Sequence, residues 1–573
     1  MRFKFTLLLA LILSVLLTDC SSTISDKLGY NIHKKAVSSM GMVVSAHPLA
    51  SEVGTNILKQ GGNAIDAAIA VQLALAVVYP AAGNIGGGGF MVFTDQKGQT
   101  VTLDFREKAP SAANRDLYLD SKGDVIEGLS TSSHLAVGVP GTVDGIFTIF
   151  EKYSKLKNFD LLIKPAIELA ANGYKITAEE ANDLNYSESE FKRLNKYAIP
   201  FVRSTAWKQG DVLKQTDLAE TLQRIMNNGR SEFYEGKTAE MLVKCISENK
   251  GIITLDDLKK YKSVWRKPIA GHYRGYTILS MAPPSSGGVL LLQMLKMLEP
   301  YDLKTMGFQS KQYIHLLTEV QRRSYADRSV YLGDPAFVKI PVHQLLDSMY
   351  LLSRMRNFNP LRAIPSKLIS AGTMPLPHES EETTHISIID KDGNAVSITT
   401  TLNSSYGSNI VVNGAGFILN NEMDDFSIKP GNLNQYGLIG AEANAIQPGK
   451  RMLSSMTPTV VMKDGKIFAV VGSPGGSTII TTVLQVLVNL IDHKMDPYDA
   501  VQAGRFHSQW LPDKIYVENG LWSKQLTRQL EEMGHAIESR TDIGRVEAIV
   551  RNMDGTYIGI ADKRGDDDVE VVK

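Results

Sequence analysis

A strand, a glycine-rich turn and a helix start follow one another near residue 472, and this order of elements can bind an anion. The turn is Gly472-Ser473-Pro474-Gly475-Gly476-Ser477, and an apolar helix is predicted after it over Thr478 to Ile491. Backbone N–H groups at a helix N-terminus lack intrahelical partners and attract negative charge. The turn lacks the lysine of a P-loop, so the pattern predicts an anion site and not an ATP site.

The familiar hydrolase patterns are missing from the sequence. There is no G-x-S-x-G elbow, and the 11 histidines show neither H-E-x-x-H nor paired spacing, so neither a hydrolase serine of that type nor a hydrolytic zinc site is predicted. Gly86 to Gly89 has no following Lys-Ser/Thr and continues into a predicted strand, which favours a packing or turn role. Cys20 and Cys245 exclude a disulfide framework and a cysteine-built zinc site. No metal and no cofactor is predicted.

Thr383-Thr384-His385 stands where the pattern of the chain changes from helical to strand-rich. By itself, a pair of threonines before a strand is ordinary, because β-branched residues favour strands. The residue types alone therefore predict no chemistry at this junction.

The region from about Gly41 to Ile340 is mostly helical in its hydrophobic pattern. Helices are predicted over Pro48 to Gln60, Ala64 to Val78, Leu161 to Asn172, Thr216 to Asn228, Gly288 to Leu298 and Tyr313 to Ser329. Ala64 to Val78 is too short and too polar to span a bilayer, so it is predicted to be a buried helix.

Beyond residue 383, three Asp-Gly pairs stand between alternating runs and predict three β-hairpins. The predicted strand pairs are His385 to Asp390 with Ala395 to Leu402, Thr459 to Lys463 with Lys466 to Val471, and Glu547 to Arg551 with Thr556 to Ala561. The C-terminal third is therefore expected to be rich in sheet.

The composition is that of a folded protein with a large core: 573 residues, 43% hydrophobic and 21% charged. Sixty-one Lys and Arg balance 61 Asp and Glu. Without a basic excess, a nucleic-acid partner is not predicted, and a small-molecule partner is expected.

The N-terminus resembles an export signal, with Arg2 and Lys4 ahead of an apolar run from Phe5 to Leu17. We expect residues 1–20 to be cleaved, with an uncleaved membrane anchor as the alternative. The segment before Cys20 loosely resembles a lipoprotein cleavage site, but Asp19 stands where a small residue is expected, so lipidation of Cys20 is left open. Cys245 then has no partner for an intrachain disulfide.

Several motifs, in order, resemble the γ-glutamyltranspeptidase (glutathione hydrolase) family over roughly residues 40 to 562. In the N-terminal part they are Gly61-Gly62-Asn63-Ala64-Ile65-Asp66-Ala67-Ala68, Asp104-Phe105-Arg106-Glu107 and Pro284-Ser285-Ser286-Gly287-Gly288. In the C-terminal part they are Thr383-Thr384-His385, Asp390 to Val396, Asn420 to Phe426, Ser454 to Pro458 and Gly472 to Ser477.

The resemblance implies an α+β fold, the four-layer α-β-β-α sandwich of N-terminal-nucleophile hydrolases. It also implies an inactive precursor that cleaves itself at Glu382–Thr383 into a large subunit, 21–382, and a small subunit, 383–573, which stay together as a heterodimer. Cleavage makes chemical sense because a threonine hydroxyl is a poor nucleophile, whereas a freed α-amine with a pKa of about 8 can act as its base.

Site roles are carried over from the resemblance. Thr383 is the nucleophile, Thr401 orients it, and backbone N–H groups of Gly475 and Gly476 stabilise the oxyanion. The remaining residues would bind the amino-acid head of the substrate, Arg106 with Ser454 and Ser455 at its α-carboxylate, and Asp425, Glu422 and Asn403 at its α-ammonium. Tyr436, in a loop over 430–440, would cover bound substrate.

The expected activity is transfer of a γ-glutamyl group from glutathione or a related donor to water or to an amino acid or peptide, in the bacterial periplasm. A cephalosporin or glutaryl acylase on the same scaffold is one alternative, and a catalytically silent envelope binding protein is the other. The physiological donor, the balance of hydrolysis and transfer, and any higher oligomer are left open.

Overall fold

Strands and helices alternate along the whole described chain. The computed structural model describes residues 23–25, 30–371, 383–429 and 442–573. The strands, numbered along the chain, are β1 (Thr23–Ser25), β2 (Asn31–His33), β3 (Lys35–Ser38), β4 (Gly41–Ser45), β5 (Gly88–Thr94), β6 (Thr100–Asp104), β7 (Tyr174–Lys175), β8 (Val212–Leu213), β9 (Val264–Arg266), β10 (Ile269–Tyr273), β11 (Tyr276–Ser280), β12 (Thr384–Asp390), β13 (Ala395–Thr401), β14 (Thr459–Lys463), β15 (Lys466–Gly472), β16 (Phe506–His507), β17 (Ile515–Glu518), β18 (Ile537–Arg540), β19 (Glu547–Arg551), β20 (Tyr557–Ala561) and β21 (Asp568–Val571). The helices are α1 (Pro48–Lys59), α2 (Ala64–Val78), α3 (Thr142–Tyr153), α4 (Phe159–Asn172), α5 (Ala178–Leu194), α6 (Thr216–Asn228), α7 (Arg230–Tyr234), α8 (Lys237–Ser247), α9 (Leu255–Lys260), α10 (Gly287–Leu298), α11 (Leu303–Met306), α12 (Lys311–Tyr331), α13 (Val342–Leu345), α14 (Ser348–Arg354), α15 (Thr478–Ile491), α16 (Pro497–Gln502) and α17 (Lys524–Glu532).

Two antiparallel seven-stranded sheets form the centre of the fold. The first sheet has the order β21-β4-β12-β13-β5-β6-β9, and the second has the order β10-β11-β14-β15-β19-β20-β3. Each sheet combines strands that precede residue 383 with strands that follow it, and in the first sheet β4 lies between β21 and β12. Neither sheet is therefore complete without both parts of the chain.

Apolar side chains fill three spaces around these sheets. Residues of both sheets, among them Met42, Val44, Val470 and Ile549, form the cluster between them. Helices α1, α2 and α4 cover the outer face of the first sheet, and α10, α12 and α15 cover the second. The predicted four-layer α-β-β-α arrangement is confirmed.

Helix α2 occupies the range that its pattern predicts and is buried along its whole length. Asn63 caps its first turn, and Asp66 completes the capping box by accepting from the Asn63 N–H. Asp66 also accepts the N–H of Lys155, so the hydrogen-bonding needs of this buried carboxylate are met by backbone donors around it. Among the helices of the described ranges, none is both long and apolar enough to cross a membrane.

The predicted hairpins are present, with β12–β13, β14–β15 and β19–β20 paired around their Asp-Gly turns. The mostly helical pattern assigned to 41–340 was incomplete. That region also supplies β4, β5, β6 and β9 to the first sheet and β10 and β11 to the second. A strand such as β4 is buried on both faces, so it shows an unbroken apolar run instead of the alternation that reveals a half-exposed strand.

Candidate active site

Four neighbouring strands of the first sheet bring predicted site residues to one sheet end. Thr383 precedes β12, and because Thr384 pairs with Thr400, Thr383 lies beside Thr401 at the end of β13. Thr401 pairs with Gly88 at the start of β5, and Arg106 lies just past the end of β6. Antiparallel order thus gathers residues almost 300 positions apart. Thr383 is 4% exposed and Thr401 2%.

The glycines at 86–89 serve close packing, as the sequence predicted. A Cβ on Gly87 would lie 2.1 Å from the carbonyl oxygen of Thr401, and one on Gly89 would lie 2.4 Å from that of Thr399. A Cβ on Gly88 would meet the Phe105 carbonyl at 2.6 Å and the Glu107 carboxylate at 2.5 Å. Only glycine lets β5 approach the end of β13 and the Arg106 segment this closely.

The Arg106 guanidinium lies at the centre of a buried charge cluster. It forms ion pairs with Glu422 and Asp425, and all three residues are at most 3% exposed. Its Nη2 also donates to the Leu453 carbonyl at 3.2 Å. Burial alone would lower the pKa of Arg106, but the neighbouring carboxylates outweigh burial and raise it.

Carboxylates in this cluster are shifted toward their neutral forms. Burial raises the pKa of Glu422 and of Asp425 well above the ordinary range, and Arg106 opposes both shifts. Glu107, beside Arg106, is completely buried, and burial raises its pKa to about 7. Within the described residues neither Glu107 oxygen accepts a hydrogen bond. The cluster therefore contains a buried carboxyl group whose oxygens its own donors do not satisfy.

The Ser454-Ser455 segment follows directly after the carbonyls that hold Arg106. The Ser454 N–H donates to the Pro284 carbonyl at 2.9 Å, and its own carbonyl accepts from the N–H and the hydroxyl of Ser286 at 2.6 and 2.8 Å. Arg328, on α12, in turn donates from Nε to the Ser286 hydroxyl at 2.9 Å. The Pro284–Gly288 motif thus acts as a support for the two serines.

Asn403 connects the threonine end of the site to the acidic segment. Its N–H donates to the Thr401 hydroxyl at 2.7 Å, and its side-chain amide donates to the Asn421 carbonyl at 3.0 Å. Asn403 has a φ of +80°, a left-handed conformation that asparagine tolerates better than most residues. This turn therefore connects Thr401 to the segment that carries Glu422.

The turn after β15 faces the same sheet end across the sandwich. A Cβ on Gly472 would overlap the imidazole ring of His385, two residues after Thr383. Gly475 and Gly476 have φ values of +122° and +55° and lead into α15. The strand, turn and helix predicted here are all present, and the turn lies at the end of the sandwich that carries Thr383.

Tyr436, Glu382 and Cys20, together with the export signal, lie outside the described residues. The structure also indicates site residues that sequence analysis missed. Asn444 joins two parts of the charge cluster, donating to the Asp425 carbonyl at 2.6 Å and accepting from the Leu453 N–H at 3.0 Å. Arg328 reaches the serine support from α12. Their sequence neighbourhoods contain no motif, so only tertiary structure reveals them.

Comparison with known proteins decides the family. The family model described as Gamma-glutamyltranspeptidase matches residues 50–572. The glutathione hydrolase proenzyme of Escherichia coli K12 is 46% identical over 531 residues, which cover 92% of this chain and 91% of the relative. The chain belongs to the γ-glutamyltranspeptidase family.

Solved structures agree with this family assignment. The cephalosporin acylase of Bacillus halodurans superposes with a TM-score of 0.83 at 26% identity, covering 94% of this chain and 97% of the other. The γ-glutamyltranspeptidase of Helicobacter pylori is 46% identical with a TM-score of 0.56, covering 57% of this chain and 94% of the solved one. The resemblance and the fold class predicted from the sequence are both confirmed, and this γ-glutamyltranspeptidase family member is an enzyme with the N-terminal-nucleophile hydrolase fold.

Proposed function

We propose that this γ-glutamyltranspeptidase family member is a γ-glutamyltransferase and glutathione hydrolase, made as a precursor that cleaves itself at Glu382–Thr383. The observation that carries the proposal is the position of Thr383. It is buried at a sheet end beside Thr401, and Arg106 lies at the same end, after β6 of the same sheet. The name of the E. coli relative, a glutathione hydrolase proenzyme, supports both the substrate and the precursor.

In maturation, the Thr383 hydroxyl would attack the carbonyl carbon of Glu382. The peptide nitrogen leaves as the α-amine of Thr383, and the acyl group of Glu382 passes to the hydroxyl as an ester. Water then hydrolyses the ester, which frees the hydroxyl and leaves a new carboxylate on Glu382. The product has an α-amine next to its nucleophile, and this amine can accept the hydroxyl proton.

In catalysis, the same hydroxyl would attack the γ-amide carbonyl of the donor. N–H groups of Gly475 and Gly476 would stabilise the tetrahedral oxyanion, and the protonated α-amine would give its proton to the leaving amine. The γ-glutamyl ester on Thr383 would then pass to water or to an amino acid or peptide. Thr401 would hold the nucleophile in position, since it is the neighbouring residue on β13.

Substrate choice would depend on the charge cluster. A γ-glutamyl group carries an α-carboxylate and an α-ammonium, and Arg106 with Glu422 and Asp425 offers a cation and two anions at one buried place. The substrate's carboxylate would take Arg106 with Ser454 and Ser455, and its ammonium would take Asp425, Glu422 and Asn403. Tyr436 is proposed to cover the bound donor.

We assign residues 1–20 to an export signal, 21–382 to the large subunit and 383–573 to the small subunit, which remain associated. The enzyme would act in the periplasm, with glutathione as the donor expected for the family. Anchoring through Cys20 remains a prediction.

An acylase is the competing function, because the B. halodurans structure is a cephalosporin acylase. A glutaryl group has no α-ammonium, so it needs no counterpart to Asp425 and Glu422. We therefore favour the γ-glutamyl substrate over the acyl one, and an active enzyme over a silent binding protein.

One experiment compares hydrolysis of a γ-glutamyl anilide with that of a glutaryl anilide by the purified protein. We expect two associated fragments, the smaller beginning Thr-Thr-His-Ile, and turnover of the γ-glutamyl compound well above that of the glutaryl one. Faster glutaryl turnover would mean an acylase, and turnover of neither would mean a binding protein. A different N-terminus would move the nucleophile away from Thr383.

A further inference from the structure

The two ends of the described chain meet at a cluster of three side chains. His33 is the last residue of β2, and Asp568 and Glu570 occupy alternate positions of β21. The His33 Nδ1 lies 3.6 Å from an oxygen of each carboxylate, and one ligand atom from each residue lies within 4.8 Å of the others. Alternate residues of a strand point to the same face, which explains why both carboxylates reach His33.

Polar atoms in this cluster are buried without hydrogen bonds. Asp568 is 0% exposed, and while its Oδ1 accepts the His33 N–H at 2.7 Å, its Oδ2 has no partner among the described residues. The His33 Nδ1 is also buried and without a hydrogen bond in this part of the chain. A separation of 3.6 Å is too long for a hydrogen bond, so the cluster is costly as it stands.

We propose that His33, Asp568 and Glu570 bind a divalent transition-metal cation of the zinc type. An imidazole nitrogen and two carboxylate oxygens are a donor set that zinc uses, at bonds of about 2.0–2.2 Å. Tetrahedral ligands at that range lie about 3.3 Å from one another, close to the 3.6 Å that separates His33 Nδ1 from each carboxylate oxygen. The whole set lies within 4.8 Å, so metal binding would draw the two carboxylates toward each other. Water can complete the coordination, because the His33 and Glu570 side chains are 28% and 29% exposed.

The negative charge that would attract a cation belongs to Asp568 and Glu570 themselves, and the groups around the cluster partly offset it. Glu52 adds negative potential near Glu570, while Lys59 on α1 and the C-terminal residue Lys573 oppose it. A protonated His33 is the competing way to balance the carboxylates, because Asp568 raises the pKa of the ring against the effect of burial. Above the pKa of the imidazole a metal ion can replace that proton, since a metal needs the neutral ring.

The cluster is distinct from the candidate active site but lies near the same end of the first sheet, because Ser45 pairs with both Asp568 and Ile386. β4 separates β21 from β12, and Asp568 pairs with Ser45. His33 and Asp568 are 535 residues apart in the chain, so no sequence motif could reveal them, and the sequence analysis predicted no metal. The site would fasten the chain's two ends, without a part in the reaction.

The test titrates chelator-treated, full-length protein with Zn²⁺ at pH 8 by calorimetry. We expect one equivalent in the wild type, and affinity weakened more than about tenfold in His33→Gln and in Glu570→Gln, with γ-glutamyl turnover unchanged. His272→Gln removes an exposed histidine on β10 and should bind as the wild type does. No zinc binding by the wild type, wild-type affinity in both cluster variants, or a preference for Mg²⁺ or Ca²⁺ would overturn the proposal.

A second measurement rests on the proposed cleavage, which places His33 in one fragment and both carboxylates in the other. Zinc should raise the urea concentration at which the wild-type fragments separate, and should not do so for Glu570→Gln. Titrating the Thr383→Ala precursor separates the two proposals. If the Thr383→Ala precursor binds zinc and the purified wild type is also a single uncut chain, the proposed cleavage is wrong and the metal site stands.

Discussion

The two ends of the first sheet use the same strands and treat charge in opposite ways. At the turn end, Asp390 accepts the N–H groups of Asp392 and Asn394 at 2.9 and 3.0 Å, both from its own hairpin. At the site end, Arg106, Glu422 and Asp425 are gathered from distant segments and buried together. One end satisfies its carboxylate with uncharged N–H donors, most of them from its own turn, and the other pairs charged side chains that the whole fold brings together.

This difference distinguishes a structural carboxylate from one available to a ligand. Asp390 is only 4% exposed, yet N–H groups of its own turn and the Ala64 N–H at the start of α2, at 2.9 Å, satisfy it. Glu107 is equally buried, and neither of its carboxylate oxygens accepts a hydrogen bond from the described residues. A buried polar group without hydrogen-bond donors costs stability, so its presence at one sheet end favours a binding role there.

Loss of the Thr383 hydroxyl should have the largest effect at the site end. Thr383→Ala should give an intact, folded and inactive chain, because maturation and catalysis use the same oxygen, whereas Thr383→Ser should mature slowly. Thr384→Val is the matched control, since the Thr384 hydroxyl has no hydrogen-bond partner in the described chain, and it should still mature. Gel electrophoresis and N-terminal sequencing measure this, and an alanine variant cut at the same bond would contradict autoprocessing by Thr383.

Removing the Arg106 guanidinium should have the second-largest effect at the site end. Arg106→Ala should lower kcat/KM by about ten- to a hundredfold, mostly through KM, because a charge-assisted contact is worth about 1.5–3 kcal/mol. It should also destabilise the fold by about 3–5 kcal/mol, since Glu422 and Asp425 lose their buried partner. Steady-state kinetics and urea unfolding measure the two effects.

Arg106→Lys distinguishes loss of substrate binding from unfolding, because it keeps the buried positive charge and should recover part of the activity. A γ-glutamyl analogue without the α-carboxylate is the substrate control. Wild type should discriminate strongly against it, and Arg106→Ala should show little preference, with processing intact. Full discrimination by a processed Arg106→Ala enzyme would assign the α-carboxylate to other residues.

The burial of Glu107 predicts a pH effect of intermediate size. Its pKa is raised from 4.5 to about 7, so the native chain keeps a proton that the unfolded chain releases. The contribution of Glu107 to the free energy of unfolding is present below pH 4.5 and falls as pH rises to about 7. Between pH 4.5 and pH 7, the free energy of unfolding of the Glu107→Gln variant should therefore rise by about 3 kcal/mol relative to that of the chain that keeps Glu107.

Urea unfolding of the uncut Thr383→Ala chain at pH 4.5 and pH 7.5, with and without Glu107→Gln, measures this difference. Glu538→Gln, on the partly exposed strand β18, is the control and should show no such gain. If Glu107→Gln changes the pH dependence of the free energy of unfolding no more than Glu538→Gln does, Glu107 is ionised in the native state across this range.

The turn end should show the smallest effect. Gly393 has a φ of +89°, and a Cβ there would meet nothing within 4 Å. Gly393→Ala should therefore cost about 1–2 kcal/mol of stability from backbone strain alone and leave kcat/KM unchanged. Gly475→Ala, also at positive φ but at the site end, should abolish turnover. Lost activity in Gly393→Ala would show that the two ends are coupled.

Sequence analysis predicted the turn end better than the site end, for a physical reason. The Asp-Gly hairpins and the Asn63 cap depend on contacts within a few residues, so local pattern is enough. The buried strand β4 has no alternation to reveal it, and the partners of Arg106 lie some 300 residues away. Family resemblance, and not pattern, identified Glu422 and Asp425 as site residues, while their ion pairs with Arg106, and the roles of Asn444 and Arg328, required the fold itself.

The interleaved strand order means that the two proposed subunits are not independent folding units. With β4 hydrogen-bonded between β21 and β12, a chain cut before Thr383 leaves two pieces that divide both sheets. The first piece lacks β12 and β13 of the first sheet and the central strands of the second, and the second piece lacks β4 to β6 and β9 of the first sheet and the outer strands of the second. Neither piece has a closed core of its own, and each would expose unpaired strand edges to aggregation if made alone. Their dissociation is therefore the same event as global unfolding, and the strength of their association is the folding stability of a single domain.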